Sequence, residues 1–437
     1  MRVEGSNRLV ARSRGRERRM IDGMPGRRIV GLDLARFVAI VGMLATHVWL
    51  YADLATGEQA WFSGQFRGRA SALFAVLAGV GIVLSTRTPL RQGKRMSARW
   101  MVVGRGAALI VIGLTLDLLQ PPMLVILVSY GVMFWVLAVA LTWRRRVLVV
   151  VGVVSVVAAP VLAYFVALWS RIGDVTEADN PSWFNLADPL PLLRGLLFTG
   201  IYPVTIWLVY GVAGMLLGRS LLRAQSVPEL RVVAVRLLAI GAGVWALGVV
   251  AATVAHHALG GIYAVVIDRG RIGRPLGDTP IYLLGAGPHN GTTFDLLLTI
   301  GFAVTTIALL VLLGTVLSPF ALRMLSPVTG AGSAPLTVYS AHVVLVSSVV
   351  ILLTGKPYGA LTDRDWAAIG TPWWISSGVF FAANVVLALV IGATLVLLAR
   401  RGPLEAFVIW AGRKTARVDG SENSAMLLRS NPDRQTR

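Results

Sequence analysis

About ten apolar runs, each near twenty residues long, divide this sequence: 29–51, 68–86, 101–118, 123–142, 147–168, 193–218, 232–255, 292–317, 335–354 and 373–398. A helix of roughly 20 residues spans the hydrocarbon core of a bilayer. It also satisfies its own backbone hydrogen bonds where no water can do so. The expected fold class is therefore all-α, a polytopic membrane helix bundle of about ten transmembrane helices. Charged residues make up only 14% of the chain, against about 25% in soluble domains. No stretch between the runs is long enough for a separate soluble domain. The expected organisation is a basic tail over 1–28, one transmembrane domain over 29–400 and a second tail over 401–437.

The net charge of +20 could suggest a nucleic-acid partner. Its placement suggests otherwise, because no basic patch interleaved with aromatics sits on a soluble domain. The arginines fall instead in alternate short loops: RTPLRQGKRMSAR, WRRR, RSLLRAQSVPELR and the RRGPLEAFVIWAGRKTAR tail. The other loops hold few, among them Arg67, Arg69, Arg171, Arg194, Arg269, Arg271, Arg274, Lys356 and Arg364. By the positive-inside rule both termini are cytoplasmic, and the bilayer in question is expected to be the cell membrane. The first run is too long and too polar on one face for a cleaved signal peptide. The basic segment before it, Arg2 to Arg19, is expected to be disordered, with Met1, Met20 and Met24 as alternative starts. The chain has no cysteine, which removes disulfides, thiolate metal sites and a cysteine nucleophile. Walker-type, HExxH, G-x-S-x-G and EF-hand patterns are also missing from the sequence.

The first run, Arg28 to Trp49, carries Asp33, Arg36 and His47. At 100° per residue the eleven steps from Arg36 to His47 return to within about 20° of the starting direction. Asp33 lies one turn before Arg36. A membrane helix with such a stripe faces a protein interior or a wet cavity. Asp33 either neutralises Arg36 or shares a site with it. Arg36 lies about 16 Å along the helix from His47. At that depth it can bind an anionic phosphate or a pantetheine carbonyl entering from the cytoplasm. Arg99 and Arg105 either add positive charge there or are ordinary cytoplasmic-end arginines.

His47 falls near the outer end of its helix. His289 stands in the turn Gly287-Pro288-His289-Asn290-Gly291-Thr292, at the same membrane level as Arg67 and Arg69. Each histidine reads either as a site residue or as a locally bonded helix-end or loop residue. Asp295 orients a histidine or caps its helix. Tyr339 and His342 share a face at i,i+3 in the inner half of the ninth run and read as a buried polar pair. His256 and His257 are adjacent and make a poor metal pair, so no metal is expected. Leu77-Ala78-Gly79-Val80-Gly81 reads first as close helix packing, and Pro203 is expected to kink the sixth run.

Four stretches together resemble the transmembrane acyltransferase superfamily, in particular its YeiB-like and heparan-alpha-glucosaminide N-acetyltransferase-like members. They are Arg28 to His47, Leu73 to Gly81, Pro288 to Thr292 together with Pro335 to Tyr339, and Gly402-Pro403-Leu404-Glu405. The resemblance implies transfer of an acetyl or other acyl group from cytoplasmic acyl-CoA to a sugar, glycan or glycolipid acceptor at the outer side. On that reading Arg36, Asp33 and Arg105 hold the co-substrate. His47 and His289 are the catalytic candidates, with His47 acting as general base or carrying the acyl group. Arg67, Arg69, Asn290 and Asp295 meet the acceptor. In the lysosomal branch the working histidine follows the first span, whereas no histidine occurs here between His47 and His256. A homodimer is left open. The rival reading from another class is a transporter or flippase of a small anion or glycolipid.

Overall fold

The computed structural model describes residues 28–53, 56–169, 180–262, 280–370 and 372–429, the last twelve by backbone alone. The basic segment before residue 28, Arg171, Arg269, Arg271 and Arg274 lie outside the described residues. Ten apolar helices follow in order: α1 (Val30–Val48), α2 (Arg69–Arg91), α3 (Arg95–Asp117), α4 (Leu127–Ala140), α5 (Arg145–Trp169), α6 (Val204–Leu221), α7 (Val227–Leu259), α8 (Thr293–Gly314), α9 (Pro335–Thr354) and α10 (Gly378–Leu397). A further helix, α11 (Pro403–Arg429), follows the last of them. Among the described residues nine helices are long and apolar enough to cross a membrane, and α4, at 14 residues, is the shorter tenth. The protein is a polytopic helical membrane protein. Among the described residues its strand content is one small antiparallel pair, Tyr51–Asp53 with Glu58–Gln59.

α1 is the hub. It packs on α2, α8, α9 and α10, and Leu32, Ala35, Ala39, Leu44 and Val48 are buried along its length. α7 lies at the opposite extreme: its most apolar window is only 11% buried, and it leans mainly on α8. Exposed Val232, Val235, Leu247 and Val254 on α7 suit lipid rather than water. The Gly79 stretch divides its work. A Cβ on Gly79 would run into the backbone of Gly211 and Gly214, so α2 and α6 cross there in close contact. Gly81 meets nothing within 4 Å and lines a cavity instead.

Two spans are interrupted. Pro203 does not kink the sixth: it stands at the N-cap of α6, where its fixed φ and missing N–H are tolerated. Before it the chain runs through the short helix Pro189–Arg194 and a π-turn at Gly195–Thr199, then opens at Gly200 to Tyr202. The ninth is preceded by the short helix Ser326–Ser333, packed on α1 and α10, and a break at Ala334 from which α9 restarts. Irregular backbone within a bundle persists where it lines a cavity, and both breaks do so.

The restart of α9 also explains the G-P-L-E segment. Glu405, in the first turn of α11, accepts the backbone N–H of Leu336 at 2.7 Å and of Thr337 at 3.1 Å. Its second oxygen takes the Thr337 hydroxyl at 2.6 Å. A carboxylate therefore satisfies the orphan donors at the N-terminus of α9 from a partner 69 residues away. Gly402 has to lack a side chain, because a Cβ there would strike Glu405, Thr337 and Ala334.

Candidate functional site

The stripe on α1 meets three cavities: Asp33 lines one of about 510 Å³ together with Arg28 and Arg36, and the other two hold Arg36 and His47. The first of these two, about 610 Å³, is lined by Arg28, Arg36, Arg105, Arg400 and Arg401 at its polar end. Leu77, Ala78, Gly81, Leu109 and Phe134 form its apolar side. The second, about 350 Å³, is lined by His47, Arg67, Tyr202, His289, Tyr358 and Trp374 among others. Met43, Phe74, Ile126, Tyr130 and Tyr339 line both. The two spaces therefore meet at a wall one side chain thick, with Arg36 on one side and His47 on the other. Met43 lies one turn from His47 on the same helix face, which is why the sequence stripe runs from one cavity to the other.

At the basic end Asp33 is 4% exposed and is held by two guanidinium groups. Arg36 Nη1 donates to Oδ1 at 2.8 Å and Arg28 Nε donates to Oδ2 at 2.5 Å. Arg28 also reaches the Thr329 carbonyl at 2.9 Å, which ties the start of α1 to the Ser326–Ser333 helix. Asp33 is thus the counter-ion of the arginines. Arg105 Nε is buried with no hydrogen-bond partner among the described residues, and both oxygens of Glu405, the carboxylate lining this cavity, are engaged at the start of α9. Five arginines against Glu405 and the adjacent Asp33 leave the basic end net positive. Arg99 is elsewhere, donating to Thr142 Oγ1 at 3.0 Å at the end of α4.

At the histidine end the Gly287–Thr292 turn is fixed by its own helix. Thr292 caps α8 by accepting the Asp295 N–H at 3.1 Å, and Asp295 Oδ2 accepts the Gly291 N–H at 2.9 Å. His289 sits at φ 62, a left-handed conformation uncommon for a side-chain-bearing residue. Gly68, at φ 71, leaves room for Pro288 to approach; a Cβ there would stand 3.3 Å from Pro288 Cα. His289 meets the edge of Tyr202, ring centroids 5.7 Å apart, so the broken sixth span supplies part of this site.

The predicted outer residues separate. His47, His289 and Arg67 line the same cavity. Arg69, Asn290 and Asp295 do not line it. Arg69 donates to the Gln65 carbonyl at 3.0 Å and lies over the Phe302 ring. Asn290 and Asp295 are each 4% exposed, and Asp295 does capping work.

Tyr339 and His342 are both buried, but their polar atoms go to different partners. The Tyr339 hydroxyl is 3.5 Å from the Leu124 carbonyl. His342 Nε2 lies 3.1 Å from His47 Nδ1, and His342 Nδ1 lies 2.8 Å from Asn384 Oδ1. The two imidazole planes are within 17° and their centroids 5.3 Å apart, so the rings meet edge to edge, as an in-plane hydrogen bond requires. His342 therefore stands at the level of His47, not in the inner half of the bundle, because α9 restarts part-way across it. Sequence reasoning missed Asn384. The available signal was an amide in the middle of the apolar run Val379–Leu397.

Among the described residues, ten apolar helices thus enclose a basic cavity backed against a histidine cavity. Residues 28–254 match the family described as heparan-alpha-glucosaminide N-acetyltransferase, catalytic. The chain belongs to that family of membrane acyltransferases. A comparison with curated proteins gives no match. His289, His342 and Asn384 lie beyond the matched residues.

Proposed function

We propose that the protein moves an acetyl or other acyl group from acyl-CoA in the basic cavity to a hydroxyl or amine of a sugar, glycan or glycolipid in the histidine cavity. One observation supports this reading: the shared wall of Met43, Phe74, Ile126, Tyr130 and Tyr339 would leave a thioester in one space a single side chain from a nucleophile in the other. The donor set suits the co-substrate. Arg36, Arg105, Arg400 and Arg401 would hold its phosphates, and the buried Arg105 Nε still needs an acceptor. The apolar side formed by Leu77, Gly81, Leu109 and Phe134 would take the pantetheine arm. The arginine-rich loops support a basic cavity that faces the cytoplasm of a cell membrane.

On this reading His47 Nε2 takes the proton from the acceptor O–H or N–H as that atom attacks the thioester carbonyl. The new C–O or C–N bond forms, the C–S bond breaks, and the proton passes to the departing thiolate. Arg67 and His289 bind the acceptor. The test uses protein in proteoliposomes with acetyl-CoA and a glucosaminide-bearing lipid, followed by release of free thiol and acetylated product. His47→Ala should abolish turnover with unfolding unchanged; full activity in that variant would remove His47 from the chemistry. Acetyl-CoA at a hundred times its dissociation constant should stabilise the fold by about 2.7 kcal/mol. No stabilisation by any CoA ester would favour transport without chemistry.

A further inference from the structure

We infer that His342 and Asn384 are positioning residues that fix His47 in the tautomer whose Nε2 is the free base, through the chain Asn384 Oδ1–His342 Nδ1, His342 Nε2–His47 Nδ1. The inference rests on the base assignment for His47 and adds two residues that touch no substrate. Neither His342 nor Asn384 lines either cavity. Each is 1% exposed.

The amide sets the direction of the chain. Asn384 Nδ2 donates to the Phe380 carbonyl one turn back at 2.8 Å, so the oxygen faces His342 and can only accept. His342 Nδ1 therefore carries hydrogen. A neutral imidazole with hydrogen on Nδ1 has a lone pair on Nε2. Neutrality follows from the setting: His342 is buried and bonded to an uncharged amide, where an unpaired charge is costly. His342 Nε2 accordingly accepts from His47, placing the His47 hydrogen on Nδ1 and leaving Nε2 as a lone pair on a residue that lines the outer cavity.

No carboxylate among the described residues lines that cavity. In hydrolase triads an ionised Asp or Glu commonly holds the histidine tautomer; here an amide and a second neutral histidine do so. When Nε2 takes the acceptor's proton, His47 becomes an imidazolium still donating from Nδ1 to the His342 lone pair. His342 needs to gain or lose no proton. Without the Asn384 oxygen, His342 is free to carry its hydrogen on Nε2 and donate to His47 Nδ1. That would put the His47 hydrogen on Nε2 and remove the base.

The experiment compares Asn384→Leu, which keeps bulk without an acceptor, with Asn384→Asp, which keeps the acceptor. It reads turnover with acetyl-CoA and a glucosaminide lipid, together with the ¹⁵N imidazole shifts of His47 in labelled protein. Asn384→Leu should lower kcat about 100-fold with KM for acetyl-CoA unchanged, the low end of what a general base contributes. It should also shift His47 away from the Nδ1–H form, and Asn384→Asp should restore both. His342→Gln, whose carbonyl can still accept from His47, should lose less than His342→Phe. Wild-type kcat and tautomer in Asn384→Leu would overturn the inference, as would equal loss in the Leu and Asp variants with the His47 tautomer intact. Activity surviving in His47→Ala would defeat the base assignment alone, since the spectra report on the tautomer whether or not turnover depends on it.

Discussion

Replacing Asp33 with Asn removes one charge and leaves shape and backbone in place. In the folded protein Asp33 carries the negative charge for Arg36, at 2.8 Å, and also for Arg28. The side chains are 5% exposed for Asp33, 22% for Arg36 and 57% for Arg28. Breaking a buried ion pair by removing one partner costs about 3–5 kcal/mol, mostly because the other charge is left uncompensated. Arg36 keeps some access to water, so the expected loss is smaller, about 2–3 kcal/mol. The Arg28 bond is mostly solvent-screened and contributes no more than about 1 kcal/mol, so Arg28→Gln should be nearly silent. The decisive comparison is the double variant Asp33→Asn with Arg36→Met. It leaves no orphaned charge on Arg36 and should recover about 1–2 kcal/mol relative to the sum of the two single changes. Unfolding in mixed micelles, followed by tryptophan fluorescence, measures wild type, the three single variants and the double variant. Strict additivity of the single changes, or an Asp33→Asn protein as stable as wild type, would refute the counter-ion assignment.

Arg105→Gln should weaken acetyl-CoA binding about 10- to 100-fold, the equivalent of one charge-assisted hydrogen bond of about 1.5–3 kcal/mol. Its kcat at saturating co-substrate should hold, and titration calorimetry in detergent reads the affinity. Away from the bilayer, the Lys356 ammonium and the Thr362 cap hold the Asp365 carboxyl down to about 2. Its folded value lies below the unfolded value of about 3.9. Whatever it contributes to stability is therefore complete above about pH 4 and is lost as pH falls through about 2. A carboxyl ¹³C titration of Asp365 with its midpoint near 4 would contradict this.

Most of the bundle was legible in the sequence because a lipid environment leaves few ways to satisfy a backbone. The apolar runs fell on helices, and the α1 stripe was readable because its period is set by helix geometry alone. The breaks were less legible. Pro203 marks an irregularity in the sixth run, but whether a proline kinks a helix or begins one depends on the turns before it, which only packing decides. The partners of the stripe were hidden by distance along the chain: His342 is 295 residues from His47, and Asn384 a further 42 from His342. Helical periodicity relates residues on one helix and says nothing of which face another helix turns toward it. Tyr339 and His342 do share a neighbourhood, as i,i+3 spacing predicts, yet their hydrogen bonds leave their own helix. Glu405 shows the same limit, since its role depends on α11 meeting the restart of α9.

The wall between the cavities has an electrical consequence. Among the described residues, only the layer of Met43, Phe74, Ile126, Tyr130 and Tyr339 separates the two spaces, so with water in both it would be the insulation between them. In an energised membrane most of the voltage would fall across that thin layer, at about 2.3 kcal/mol per elementary charge for each 100 mV. In the proposed reaction the outgoing acyl group and the proton that reaches the thiolate exchange with no net charge moved, whereas a lone metal cation making the same passage would meet the whole potential. On that reading the same five side chains that stand between thioester and acceptor would also hold back free cations.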